Sequence, residues 1–341
     1  MDLTLKELYY EVKSKIDKVD FNKIWKGFKP LKFALYNSCE CFFDGEYIEK
    51  SDSFLANTAI NYKGEVIAIW NVMEEVDIVI LASKIIHEMF HGFQMINQES
   101  RFPDELDALY NYLYDDTNLS IKLEENKLLV ELVDEFSLDK FNTFLKYRKY
   151  RFNHKTFEYN YEAMVEQIEG SANYVELMAL KELSKDLFVR KLDSIKSNIV
   201  NKKSFLPIRV LCYDIGALLI YLLKENNIPF FDGFCDKPFS VLLLDGTKEA
   251  YIDVNSFEDE LNGYYKRVEG IINNAVNKND VVINGECDIL GVNFYNAVYY
   301  KGYIISIFFV MFKDGDNQRI EYGNFVIETK EKKKLTKIYR Y

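Results

Sequence analysis

From Val76 to Asn97 the chain is apolar on almost every side, with Ile78, Val79, Ile80, Leu81, Ile85, Ile86, Met89, Phe90 and Phe93 in one run. A helix that is apolar all round has to be buried. Whatever else this chain forms must therefore cover that helix. Yet the same stretch carries His87-Glu88-Met89-Phe90-His91, two of the three histidines in the chain. Polar side chains inside such a helix are costly unless they have partners. On a helix, positions i and i+4 lie on one face, so both imidazoles can reach one metal ion. Glu88, beside the first of them, is placed to take a proton from a water that zinc acidifies.

A catalytic zinc site takes three protein ligands and keeps a fourth position open. Two sources of a third ligand are available. His154 lies in Arg151-Phe152-Asn153-His154-Lys155, between helices and among polar residues, where a surface position is expected. The helix expected over 158–184 carries Glu166, Glu169, Asn173 and Glu176 at spacings that bring them to one face. A carboxylate from that face is the better candidate, and Asn173 can hydrogen-bond a ligand from behind. A solvated acidic stripe has the same spacing.

HExxH followed on a later helix by Glu169-Gly170-Ser171-Ala172-Asn173-Tyr174 resembles the gluzincin group of zinc metallopeptidases. The resemblance implies that Glu169 is the third ligand and that one zinc is bound per chain. The long separation of His91 and Glu169 then implies an inserted helical subdomain at about 100–155. Tyr213-Asp214-Ile215-Gly216-Ala217 is similar to the Tyr-x-x-Gly motif of the alanyl aminopeptidase branch, which implies that the Tyr213 hydroxyl donates to the oxyanion. A neutral phenol in a dry site can do so. Arg209, one turn earlier, is open to two readings, a substrate carboxylate or an acidic partner. The region Val66–Asn71 contains no Gly-Ala-Met-Glu-Asn segment, so a grip on a free amine is not implied. The resemblance covers about residues 58–225.

Around this centre the expected fold class is α+β, with a thermolysin-like (zincin) catalytic core. A helix over 3–19 and a β-rich part fill residues 1–75, a mostly helical catalytic region fills 76–250, and a C-terminal helix plus antiparallel β module fills 251–341. Thr58–Tyr62 and Glu65–Asn71 flank Lys63-Gly64 and predict a hairpin. The second of these strands is open to two readings, an ordinary sheet strand or an edge that pairs with substrate. From Val281 onward five strands are expected, with turns at Gly285, Lys301-Gly302, Asp314-Gly315 and Lys330-Glu331. The acidic residues of the helix over 119–134, including Glu124, Glu125 and Glu131, are expected on a solvated face. Arg148 and Arg151 are expected to pair with the helix of Glu162 and Glu166, or else to line the cleft.

Composition narrows the function classes. Lys and Arg total 43 against 54 Asp and Glu, a net charge of −11, which argues against a general nucleic-acid binder. The one basic cluster, Lys330 to Arg340, is expected on the edge of a last strand. The longest apolar stretch in that region, Tyr303–Phe312, is about half of what a membrane-spanning helix needs. The first residues are charged and lack the apolar core of a signal peptide. Five cysteines without a pairing framework are expected as reduced cytoplasmic thiols. The sequence thus points to a peptide or protein substrate, with neither nucleic acid nor membrane as partner. A peptidase-like binding or regulatory protein that retains a zinc site is the alternative, although a purely structural site has no use for Glu88.

Overall fold

The computed structural model describes residues 3–51, 53–250, 252 and 254–341. In chain order the first elements are α1 (Leu5–Ile16), α2 (Phe21–Ile24), β1 (Phe33–Tyr36), β2 (Cys41–Phe43), β3 (Glu46–Ile48), β4 (Thr58–Tyr62), β5 (Glu65–Asn71) and α3 (Ile78–Ile96). Then come α4 (Glu105–Asn111), α5 (Asp116–Asp134), α6 (Leu138–His154), α7 (Thr156–Val165), a π-turn (Glu166–Gly170) and α8 (Ser171–Leu183). The helices α9 (Lys185–Ile199), α10 (Arg209–Glu225), α11 (Phe239–Leu242) and α12 (Glu258–Lys278) follow. The chain ends in β6 (Val281–Val292), β7 (Val298–Tyr300), β8 (Tyr303–Ser306), β9 (Phe309–Asp314), β10 (Asn317–Tyr322), β11 (Phe325–Glu331) and β12 (Lys334–Arg340). The protein is a mixed α and β chain with a C-terminal antiparallel sheet. It forms two compact units that interleave in sequence, so its division differs from the three consecutive segments expected.

Unit one is Met1–Phe102, Ala163–Asn198 and Tyr213–Leu243. Its sheet has the order β3-β2-β1-β5-β4, with β1 and β5 parallel and the other pairs antiparallel. The β4–β5 hairpin turns at Lys63 and Gly64, both at positive φ, as a two-residue primed turn requires. β5 lies inside the sheet and is not an edge, because β1 pairs with its other side; β4 holds the edge position. The helix α3 packs on β4, β5, α1 and α8. It begins at Asp77, whose carboxylate accepts from the Val79 and Ile80 amides and satisfies two otherwise orphaned donors. Gly92 lies where any Cβ would run into the Leu31 side chain, so α3 presses on its neighbours without a side chain there. On its far side Phe90 meets Trp25 and Phe28 edge-on, with ring centroids 5.1 and 5.2 Å apart.

The helix expected over 158–184 is present but broken in the middle by the π-turn. A tight helix contact sits beside this turn. A Cβ on Gly170 would lie 2.6 Å from the Gly216 Cα, and one on Gly216 would lie 2.7 Å from the Glu166 carbonyl oxygen. Two glycines thus let α10 approach the π-turn backbone to backbone.

Unit two is Pro103–Glu162, Ile199–Cys212 and Leu244–Tyr341. Seven antiparallel strands in the order β10-β9-β6-β12-β11-β8-β7 replace the five expected. The difference has a local cause: Gly285 lies inside the long strand β6 and makes no turn, while the chain breaks at three places not expected, residues 293–297, 307–308 and 323–324. The last hairpin turns two residues later than expected, with Glu331 paired to Lys334. The basic cluster therefore runs into a central strand, β12, not an edge. There Lys334 pairs with Asp288 and Lys330 with Glu286, each at 2.5 Å. One face of the sheet packs on α4 through Leu106 and Leu109, and the other packs on α12 through Val268 and Ile272. No strand forms in 228–250, where short strands were expected; α11 lies there instead.

The acidic helix α5 is not simply solvated. Glu125 and Lys122 are fully buried, both at 0% exposure, and belong to a charge network. Arg151 reaches Glu125 at 3.1 Å and Glu162 at 2.5 Å, Lys122 reaches Glu162 at 2.7 Å, and the Tyr112 hydroxyl donates to Glu162 at 2.6 Å. Arg148 donates to the Tyr159 hydroxyl on α7, the helix of Glu162. Burial alone would raise the Glu162 carboxyl, but Arg151 and Lys122 outweigh it and hold it at about 2, below its ordinary 4.5.

Two outcomes follow from these contacts. Gly216→Ala should destabilise the protein by about 1–3 kcal/mol in chemical denaturation, because the backbone opposite cannot step aside. Glu162→Gln should cost about 3–5 kcal/mol, since it takes the charge partner from buried Lys122 and leaves Arg151 with Glu125 alone. A carboxyl depressed in the folded state stabilises fully above its unfolded pKa. The Glu162 contribution is therefore complete above about pH 4.5 and is lost as pH falls towards 2, which an acid titration by circular dichroism should show in the wild type and not in Glu162→Gln.

Candidate metal centre

His87, Glu88 and His91 lie on α3, and Glu169 lies inside the π-turn. In an unbroken helix Glu166, Glu169, Asn173 and Glu176 would share one face. The wide turn breaks that face by inserting an extra residue, a feature that recurs at functional sites. Glu166 becomes fully buried, while the Glu169 carboxylate meets the histidine pair.

The donor atoms converge. His87 Nε2 and His91 Nε2 lie 3.1 Å apart, and Glu169 Oε2 lies 3.4 Å from His91 Nε2 and 4.0 Å from His87 Nε2. Ligands about 2.05 Å from a tetrahedral zinc stand roughly 3.3 Å from one another. The three spacings bracket that value. The side chains of His87, His91 and Glu169 retain 10, 18 and 15% exposure, so the cluster is largely dry yet reachable. Among the described residues this is the one group of three such side chains whose ligand atoms come together.

The outer shell assigns the tautomers. Gln94 Nε2 donates to the Ile168 carbonyl at 2.9 Å and to Ser171 Oγ at 3.1 Å, which turns its Oε1 towards His91 Nδ1, 2.8 Å away. His91 Nδ1 therefore carries the proton, and Nε2 keeps its lone pair. On the other ring, Glu176 Oε2 stands 3.5 Å from His87 Nδ1, at ion-pair distance, and favours the same tautomer. The two Nε2 atoms then face each other across 3.1 Å with a carboxylate beside them, a hydrogen bond when either ring holds a proton there. A cation between the donors would take that proton's place, and two imidazoles plus one carboxylate suit zinc. Without an ion the electrostatics favour a proton at this place. Burial opposes a charged His91, but the hydrogen bond and charge of Glu169 outweigh it and lift the imidazole to about 9. Burial raises the Glu88 carboxyl, against the pull of the two imidazoles. Burial likewise pushes against a charged Glu176, yet His87 and Lys191 hold it down at about 2.

The other expected residues fall in different places. Asn173 does not hydrogen-bond a ligand; its Nδ2 lies 3.4 Å from Asp214, which also accepts from Asn198 at 2.7 Å. The outer-shell role belongs to Gln94 and Glu176. Gln94 follows His91 at a spacing of three on one helix face, which is the signal in the sequence that could have found it. Tyr213 is buried in α10 and shares a face with Gly216, the residue that meets the π-turn. Arg209 lies in unit two, where its Nε donates to Glu105 at 2.9 Å; it takes the acidic partner of its two readings. His154 is half exposed, 3.3 Å from Glu249 and stacked on Tyr150.

Gln94→Ala should lower zinc affinity by about 10- to 100-fold while leaving far-UV circular dichroism unchanged. A chelator-competition titration would read this, and an unchanged affinity would remove Gln94 from the site. Compared with family models, with curated proteins and with solved structures, the chain matched none.

Proposed function

We propose that this protein is a zinc-dependent metallopeptidase of gluzincin type, on a thermolysin-like core, that hydrolyses peptide bonds in a peptide or protein substrate. The observation that supports the reading is the convergence of His87, His91 and Glu169 on one point, with Glu88 next to the first ligand. These three residues would hold one zinc ion per chain. When bound there, zinc polarises a carbonyl and acidifies water.

The chain's own residues supply the rest. Glu88 takes the proton from the attacking water and passes it to the leaving amine, acting first as base and then as acid. A carboxyl raised by burial is better matched to both duties than one in water. The Tyr213 hydroxyl donates to the oxyanion as it forms. The edge strand β4, which packs beside α3, is the strand that an extended peptide would join by main-chain hydrogen bonds. Five free thiols fit a reducing cytoplasmic setting. Among the described residues no helix is long and apolar enough to cross a membrane.

The decisive comparison sets wild type beside Glu88→Gln and Glu169→Ala, with metal content and cleavage of a broad peptide library both measured. Wild type should carry near-stoichiometric zinc and cleave. Glu88→Gln should keep the metal and lose at least about a hundredfold in rate, within the range that general acid–base catalysis contributes. Glu169→Ala should lose metal as well. Zinc in the wild type without cleavage of any peptide would favour a binding protein with a retained site. No zinc uptake at all would end the metallopeptidase reading.

A further inference from the structure

Unit two contains a cavity of about 430 Å³ that the metal chemistry does not use. Its size is within the roughly 300–1,000 Å³ of small-molecule sites. Its wall is built from rings: Tyr110, Tyr264, Tyr265, Phe294, Tyr299 and Tyr300 all line it. Tyr265 and Tyr300 are stacked, with planes 22° apart and centroids 5.1 Å apart, and Tyr110 meets Tyr299 edge-on at 4.9 Å. Such faces and edges receive another flat ring well.

The charges on the wall are already compensated. Glu105 is held by Arg209 Nε and by the Tyr161 hydroxyl, each at 2.9 Å. Asp115 pairs with Lys155 at 2.9 Å, and Lys301 pairs with Glu269 at 3.1 Å. No carboxylate is left over to attract an ammonium group, so the aromatic wall is not backed by the negative charge a cation cage would want. One polar demand does remain. The Tyr264 hydroxyl is buried and has no hydrogen-bond partner among the described residues. A buried donor left unmet in a cavity wall asks for an acceptor.

We propose that this cavity binds a small, uncharged, planar aromatic or heteroaromatic molecule that carries a hydrogen-bond acceptor. The ring lies against the tyrosine faces, and the acceptor receives a hydrogen bond from the Tyr264 hydroxyl. The site is independent of the zinc centre.

Quinoline is a suitable probe, being flat, neutral at pH 7 and endowed with a ring-nitrogen acceptor. N-methylquinolinium is its cationic isostere and lacks that acceptor. Ligand-observed NMR titrations on the full chain, with and without EDTA, would measure both. Quinoline should bind saturably in either condition, at least tenfold more tightly than N-methylquinolinium. Tyr265→Ala/Tyr300→Ala should weaken quinoline at least tenfold. Tyr264→Phe, which keeps the ring and drops the hydroxyl, should weaken quinoline severalfold and leave N-methylquinolinium unchanged. Each variant is read only where its circular dichroism and melting curve match wild type, and Tyr264→Phe stands alone if the double variant misfolds. The proposal is overturned if quinoline fails to saturate, if EDTA abolishes its binding, if N-methylquinolinium binds equally well, or if folded Tyr264→Phe binds quinoline as wild type does.

Discussion

Gly170 and Gly216 meet with no side chain between them, and the position of the candidate metal centre depends on that contact. The π-turn that presents Glu169 widens the helix at the place where α10 comes closest. A side chain at either glycine would push the two helices apart and carry Glu169 with them. The distance from Glu169 to His91 is 3.4 Å, and a shift of an ångström or so would take the carboxylate out of reach of a shared ion. The glycines act on the site through geometry, without chemistry of their own.

The site also shows why a buried polar cluster is tolerated in so apolar a helix. His87 and His91 each have one nitrogen turned to a protein acceptor and one turned to the other ring. Gln94 faces His91 Nδ1 at 2.8 Å, and Glu176 stands at ion-pair distance from His87 Nδ1. The inner nitrogens face each other and Glu169, where a shared proton or a cation would satisfy them.

The two units handle buried charge differently. In unit two Arg151, Lys122, Glu125 and Glu162 are wholly buried and paired by charge, with one Glu125 oxygen left without a hydrogen bond. Cations and carboxylates alternate there, and that network reads as structure. The cluster in unit one is partly open, and in it two imidazoles and a carboxylate converge. The contrast, more than burial, separates a candidate site from an ordinary polar core.

Much of this was legible in the chain itself. The buried helix, the His87–His91 pair and the Lys63-Gly64 hairpin are local, because helical and strand periodicity and two-residue turns depend on neighbouring residues. Glu169 was legible only through a resemblance to known zinc sites, since its spacing did not distinguish it from Glu166 or Glu176. The selection among those acids was made by the π-turn, which arises where two glycines let helices touch. In the same way, the place of β5 inside its sheet, of β12 at the centre of its own, and of Glu125 in a buried network came from pairings distant in sequence. Local pattern states which residues want burial or a metal. Which of several equivalent side chains is admitted to a shared point is decided by how closely distant backbones approach, and that is a property of the packed structure alone.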